Sequence, residues 1–537
     1  MAQISHRDLQ SIQEARDLAE RAYAASRQMR SFSQADVDRI CENMAKKGYE
    51  AAESLAKMAV EETGFGKWQD KQIKNEFATR DLWNYIKSMK TVGFLDEAGP
   101  VRRIAEPMGV VAGIVPTTNP TSTALYKAII SLKARNAVVL SPHPSAVKCI
   151  NRSADIIRAA AVEAGAPEDS VLCMKIPELP GTDALMSHPR VGVVLATGGT
   201  GLVKAAYSAG KPAYGVGPGN VPAFIEKTAD AEKAVKDIVL SKCFDNGTVC
   251  ASEQSIVVDR SLDQAVRGYL AAEKCHFCSP EETIKLGLVM LIPGRGINPK
   301  IVGQPSHRIA SMAGFSVPEE TSMLIVEIGG VGKEYPLSVE KLSPVICYYE
   351  VDGWEEGCEL SLQIINYGGI GHTMTLHTND NSVVERFALE KPVMRVLVNT
   401  PSTHGAIGYS TALAPAMTLG CGTWGGSITA DNVTPMHLLN IKRLAYETNP
   451  LHKGGSALSG GSGDVRWRYD DDYRYRPAAD LSSGKEPKAE TEWPKPDSAV
   501  IASPSPQTER VISPETTYGE GISEVEVDRI IREFKSG

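Results

Sequence analysis

PMGVVAGIVPTTNPTSTALYKAIISLKARNAVVLSPHPSAVKCINRSADIIRAAAVEAG, residues 107–165, is the stretch from which the fold can be read. Two short β-branched runs, VVAGIV (110–115) and NAVVLS (136–141), are each followed by a longer amphipathic stretch. The stretches YKAIISLKA and VKCINRSADIIRAAAVEAG carry apolar residues at helical spacing, so the order is strand, helix, strand, helix. Such alternation of short strands and longer helices argues for βαβ units around a mostly parallel sheet.

Outward from this stretch the scheme repeats. VGVVLA (191–196) and AFIE (223–226) read as strands, with a helix expected over ALMSHPR. SEQSIVVD (252–259), PVICYYEV (344–351) and MRVLVNT (394–400) suggest a second α/β domain. Residues 1–100 are charged segments of helical period such as AESLAKMAVEETG. Near position 450 the composition changes to Gly, Ser and Pro without a sustained apolar period. Residues 478–517 therefore read as a flexible linker, while YDDDYRYR ahead of it could pack as an arm. The end, GISEVEVDRIIREFKSG, is regular again: Val527, Ile530, Ile531 and Phe534 form one apolar helical stripe behind a Ser523/Glu526 capping box.

Composition narrows the function. Of the 537 residues, 42% are hydrophobic and 23% charged, which excludes wholesale disorder. The net charge of −8 gives no basic footprint for nucleic acid. Ten cysteines spread over so long a chain do not form a secreted disulfide framework. MAQISHRDLQ does not read as a signal peptide, and no apolar run approaches bilayer length. The expectation is a soluble, cytoplasmic enzyme without a membrane partner.

The sharpest chemical feature is KCFDNGTVCASEQSIVVD (242–259), which puts Cys250 between a glycine turn and a core strand. A thiolate there could face a cleft on rigid support; the competing reading is a buried cysteine acting as a small hydrophobe. In PTTNP, Asn119 sits in a proline-bracketed turn after a strand. Its amide could donate to an oxyanion, or the residue could serve turn chemistry alone. LATGGTGLVKAAYSAG (195–210) is strand, glycine turn, helix, a place for phosphate or a nicotinamide cofactor. Cys275 and Cys278 form a CxxC without a second pair at zinc spacing, so no metal site is expected.

Taken together, VPTTNPTS, ATGGTGLV, GVGPGNVP, FDNGTVCASEQ, EKLSPV, GGIGHT and LGCGTWGG resemble the aldehyde dehydrogenase superfamily, and within it the CoA-acylating branch. The resemblance runs from about position 5 to 450. It implies an α/β fold with a Rossmann-type cofactor domain, an α/β catalytic domain and a small oligomerisation extension. The corresponding boundaries are 1–227 for the NAD-binding domain with its N-terminal helices, completed by part of 400–450. Residues 228–400 form the catalytic domain, 401–450 return to the cofactor domain and oligomerisation segment, 451–517 are arm and linker, and 518–537 are the terminal helix.

Residue by residue, the resemblance makes Cys250 the nucleophile and Asn119 the oxyanion amide. Thr197, Gly198 and Gly199 would contact the cofactor near its pyrophosphate and nicotinamide. Glu340 would hold the nicotinamide ribose, and Pro142 belongs to the adenosine-side segment, where Ser141 replaces the lysine of hydrolytic relatives. Gly215 is matched to the glutamate that activates water in those relatives, so a thiol such as CoA becomes the acyl acceptor. His372 and Cys421 are candidate substrate or CoA contacts, each with a structural alternative. His404 is a further polar candidate.

The implied reaction is oxidation of a short-chain aldehyde, propionaldehyde or acetaldehyde, with NAD and CoA through a cysteine thioester. Sulfoacetaldehyde, a hydrolytic relative and a non-catalytic scaffold are the alternatives; no arginine cluster near the motifs favours a sulfonate. A homodimer or tetramer is implied. The 518–537 stripe looks like an encapsulation peptide for a bacterial microcompartment, which would add shell proteins as partners and a shell interior as location.

Overall fold

The computed structural model describes residues 6–292 and 296–448. The expectations for 451–517 and 518–537 lie outside the described residues. Four helices, Arg7–Met29, Gln34–Glu50, Ala52–Thr63 and Trp68–Glu76, open the chain. Strands β1 (Gly93–Phe94) and β2 (Val101–Pro107) follow, paired antiparallel.

Strands β3 (Val110–Val115), β4 (Ala137–Pro142), β5 (Val171–Cys173), β6 (Val191–Thr197) and β7 (Ala213–Val216) form a parallel sheet in the order β5-β4-β3-β6-β7. Counted along the chain this is 3-2-1-4-5, the doubly wound order, whose switch point lies between β3 and β6. The apolar run of β3 is divided between two cores. Val111 and Val115 pack with the second and third helices, while Val110, Ala112 and Ile114 face Ala15, Leu18 and Ala22 of the first. That two-sided burial is why the run shows no alternation.

The second sheet uses β8 (Val221–Ile225), β9 (Glu253–Asp259) and β10 (His276–Phe277). A small antiparallel pair intervenes, β11 (Leu291–Ile292) with β12 (Gly296–Ile297). Strands β13 (Leu324–Glu327), β14 (Val345–Val351), β15 (Gly371–His377) and β16 (Val393–Val398) then complete seven parallel strands, ordered β10-β13-β14-β9-β8-β15-β16. The last strand, β17 (Leu439–Ala445), returns to pair with β2.

The sequence reading found β3, β4, β6, β8, β9, β14 and β16 to within two residues at each end, and it omitted others. GHTMTLH, which was not read as a strand, is the fully buried β15. The helix expected over ALMSHPR occupies Leu179–Ser187, because His188 leaves helical conformation with ψ of 137°. Among the described residues, no helix is long and apolar enough to cross a membrane.

The returning segment is tied to the first sheet by buried polar bonds. Tyr126 Oη donates to the Val433 carbonyl, and Asn136 Nδ2 donates to Leu438 O at 2.9 Å. Asn136 Oδ1 also accepts from Gly109 N at 2.8 Å, so one side chain joins the β3 entrance to the chain just before β17. Asn136→Ala would orphan a buried carbonyl and an amide. The expected loss is about 2–4 kcal/mol of stability, read as a lowered melting temperature, with the secondary structure retained.

Candidate active site

The site lies where the carboxyl ends of the first sheet meet the amino ends of the second. Strands β14, β9, β8 and β15 are consecutive neighbours and run parallel. The residues just before or at their starts therefore converge: Glu340 ahead of β14, Cys250 ahead of β9, Gly219 ahead of β8, and His372 at the start of β15. From the first sheet come Asn119, after β3, and Thr197, at the end of β6.

Cys250 Sγ lies 3.3 Å from His372 Nε2. The other imidazole nitrogen is 3.0 Å from Thr373 Oγ1, which in turn accepts from Arg395 Nε at 3.3 Å. Register pairs Thr373 with Arg395 across β15 and β16, so the topology sets that step. Desolvation pushes the Cys250 thiol up to about 12, with Glu340 and Cys421 adding to the rise and Arg395 opposing it. Burial, helped by Arg395, holds His372 down at about 3. The resting pair is a neutral thiol beside a neutral imidazole.

Asn119 is the N-cap of the helix Pro120–Lys133, yet its side chain makes no capping bond. Turn chemistry alone would have aimed the oxygen at the helix N–H groups. Instead Oδ1 accepts from Lys74 Nζ at 2.6 Å. The amide nitrogen is thereby turned to Thr118 Oγ1 at 3.2 Å and to Thr248 O at 3.3 Å, two residues from the cysteine. These long bonds leave the amide available to a stronger acceptor.

Behind the cysteine loop sits a charge cluster that the sequence reading missed. Asp245 is fully buried, and Lys71 and Lys74 both bind its Oδ2, Lys71 at 2.8 Å. Lys67 N donates to Oδ1 at 2.8 Å and Thr248 Oγ1 to Oδ2 at 2.7 Å. Burial pushes the carboxyl upward, but the two ammonium groups outweigh it and hold the net value below the ordinary one. Asp245, Asn246 and Gly247 take successive left-handed conformations with φ of 50°, 52° and 74°. Strain of this kind persists only where surroundings over-determine it, and here the clamp on Asp245 does so.

Gly215, the position matched to the water-activating glutamate of hydrolytic relatives, does not stand against Cys250, whereas Gly219 does. A Cβ at Gly215 would meet Tyr207 Oη and Val203 Cγ1 at 2.6 Å, so this position faces the first sheet's own helix and does not look onto Cys250. At Gly219 a Cβ would strike Cys250 O at 2.1 Å and lie 3.2 Å from His372 Cγ. The glycine that lets the backbone approach Cys250 is thus Gly219, four residues along the same motif. Its N–H donates to Glu340 Oε1 at 3.1 Å, and burial raises that carboxyl to about 7.

The first-sheet residues form a cradle. Thr197 Oγ1 is buried without a hydrogen-bond partner, and nothing stands within 4 Å of a Cβ at Gly199 or Gly201. Gly199 caps the helix Thr200–Ser208 without any side-chain bond, leaving the first-turn N–H groups open. A dinucleotide fits such a crevice at the switch point. Pro142 closes β4 at the same edge, and Ser141 Oγ is 2.8 Å from Thr182 Oγ1.

The other candidates are structural neighbours. Cys421 is buried, its carbonyl against Gly371, where a Cβ would approach it to 1.9 Å. His404 packs edge-on to Phe244 at 4.7 Å, beneath the Asp245 turn. Donor atoms of His276, Cys278 and Glu282 lie within 4.8 Å of one another, but Glu282 already accepts from His276 and from Ser279 N, so ordinary helix capping accounts for the group. Cys275 is not part of it.

Known proteins have similar chains. The profile of the aldehyde dehydrogenase family matches residues 1–287. The bifunctional aldehyde-alcohol dehydrogenase AdhE of Escherichia coli K12 is 46% identical over 442 residues, 81% of this chain and 50% of that protein. The chain thus spans about half the length of the aldehyde-alcohol dehydrogenases it matches. An acetylating aldehyde dehydrogenase from Geobacillus thermoglucosidasius superposes with TM-score 0.82 at 48% identity, covering 84% of this chain and all of that one. A Rhodopseudomonas palustris propionaldehyde dehydrogenase, solved with CoA and an acylated cysteine, gives TM-score 0.73 at 27% identity over 80% of this chain and 96% of that one.

The raised thiol makes a measurable prediction. A thiol moved from 9.0 to about 12 is roughly a thousandfold less ionised at pH 8. In the protein without dinucleotide, iodoacetamide should therefore label the Cys250 peptide far more slowly than a free thiol. The rate should still climb at pH 10, and a plateau near pH 8 to 9 would contradict the desolvated site.

Proposed function

The chain belongs to the aldehyde dehydrogenase family, and from that premise we propose that it is a CoA-acylating aldehyde dehydrogenase. Its substrate is a short-chain aldehyde, propionaldehyde or acetaldehyde, which it converts with NAD and CoA to the acyl-CoA. One observation carries the reading. Cys250 meets a neutral imidazole at 3.3 Å on one side and the bare backbone of Gly219 on the other. Water needs a strong base at that point, whereas a thiol is intrinsically nucleophilic and asks only for a proton acceptor.

Attack of Sγ on the aldehyde carbonyl passes the thiol proton to His372 Nε2 and gives a tetrahedral thiohemiacetal. The Asn119 amide and the Cys250 backbone N–H receive the developing oxyanion, donors that are set before the charge appears. Thr197, Gly198 and Gly199 would hold the dinucleotide near the cysteine, with Glu340 toward the ribose and Pro142 on the adenosine side. When bound, NAD supplies the hydride acceptor and CoA the thiol that takes the acyl group. After His372 has given the first proton up to solvent, its neutral imidazole would accept the CoA thiol proton as the CoA sulfur attacks the thioester carbon and Cys250 leaves as the thiolate. Cys421 borders this space through its contact with the start of β15.

The C-terminal sequence supports a location and partners. The 518–537 stripe, on a segment too short to be a stable helix alone, suits docking to the shell proteins of a bacterial microcompartment. The core is read as a homo-oligomer, dimer or tetramer.

NADH formation from propionaldehyde with and without CoA tests the reaction. Acyl-CoA and NADH should accumulate together only when CoA is present. Turnover that is equal without CoA would reassign the enzyme as hydrolytic. Cys250→Ala should be inactive yet bind NAD, and Asn119→Ala should remain folded with kcat reduced roughly 10²–10³-fold. Deleting 518–537 should leave kcat intact and abolish co-purification with shells; lost turnover or unchanged packaging would refute the tail's role.

A further inference from the structure

The helix Trp68–Glu76 is inverted for a surface helix. Lys71, Lys74 and Asn75 are buried, while Ile73 is 38% exposed. A fully buried lysine has lost its hydration, and hydrogen bonds to its ammonium must offset that loss. Lys74 has three N–H groups and three acceptors: Asp245 Oδ2, Asn119 Oδ1 at 2.6 Å and Thr248 Oγ1 at 3.2 Å. Two of the three belong to residues flanking the reaction centre.

We propose that Lys74 is a positioning residue for the oxyanion: it grips the carbonyl oxygen of Asn119 and so holds the amide nitrogen toward the thiohemiacetal formed at Cys250. An unrestrained primary amide can rotate by half a turn and exchange nitrogen for oxygen, which would present a lone pair to the oxyanion. An ammonium on Oδ1 forbids that exchange, because the flipped amide would set NH₂ against NH₃⁺. The same contact withdraws electron density from the amide and strengthens its N–H as a donor. Lys74 touches neither substrate nor cofactor, so it acts through Asn119.

Lys71 is the internal control. It is buried to the same degree and binds the same Asp245 oxygen, but its other bond goes to Thr118 O, at 2.9 Å. A purely structural role for the cluster predicts equal damage from losing either lysine. Positioning predicts that the loss of Lys74 falls on kcat and vanishes when Asn119 is absent.

The test is a double-mutant cycle in the full-length chain with propionaldehyde, NAD and CoA, reading the NADH burst, kcat and KM. Lys74→Gln should lower kcat about 10²-fold, the scale of one oxyanion donor, with KM for NAD and aldehyde nearly unchanged. In an Asn119→Ala background the same change should cost less than about threefold. Lys71→Gln should lose at least tenfold less kcat than Lys74→Gln at comparable melting temperature. Should Lys74→Gln prove insoluble, Lys74→Arg, which keeps a charge on Asp245, takes its place in the cycle. Losses that multiply in the double variant, or equal kcat losses at Lys71 and Lys74, would overturn the proposal. The inference rests on the acylating reading, and the two fail separately. A wild-type chain that makes no NADH sinks the reaction, whereas an active wild type with multiplicative losses sinks only the role of Lys74.

Discussion

A carboxylate without solvent, clamped by two ammonium groups, is the interaction on which the site depends. Asp245 left alone in the interior would be strongly destabilising, and removing one partner of such a pair typically costs several kcal/mol. Lys71 and Lys74 neutralise it, while Lys67 N and Thr248 Oγ1 fill its remaining acceptor positions. The bonds span three parts of the chain: the fourth helix, the turn after β3, and the loop before β9. A single buried charge therefore fixes the loop that carries Cys250 against the turn that carries Asn119.

The loop's left-handed backbone follows from that clamp. Three consecutive residues at positive φ, two of them not glycine, have no local reason to persist. Their side chains supply one: Asp245 is held by the lysines, and Asn246 Nδ2 donates to Gly303 O at 2.9 Å. Gly66 must be glycine, since a Cβ there would fall 1.8 Å from Asp245 Oδ1. What the strain achieves is direction, because it returns the chain to the start of β9 with Cys250 turned toward His372.

Parallel topology does the rest. In a parallel sheet all strand starts lie along one edge, so residues ahead of β14, β9, β8 and β15 meet although they are spread from Gly219 to His372. The doubly wound first sheet offers its carboxyl ends, where the switch point between β3 and β6 opens a crevice. Between the two edges, a desolvated thiol, a neutral imidazole and a held amide share one small volume.

By itself, the sequence determined what depends on neighbours along the chain. The β-branched runs and helical periods named most strands of both sheets, and the turns around Cys250 and Asn119 marked two residues that the proposed chemistry uses. The motif resemblance supplied the family, which the comparisons then showed. Only the tertiary structure decided what joins distant segments. Lys74 and Asp245 are 171 residues apart, and two lysines at helical spacing on a charged helix read as a solvated face. The exposed Ile73 was the one local hint that this helix faces the other way. Likewise, GVGPGN states that glycines are needed but not which one meets the cysteine, since a glycine has no side chain to declare a direction. Gly219 rather than Gly215 takes that place because β8 is paired with β9 in a register that sets Val221 beside Glu253, bringing the turn before one strand against the loop before the other.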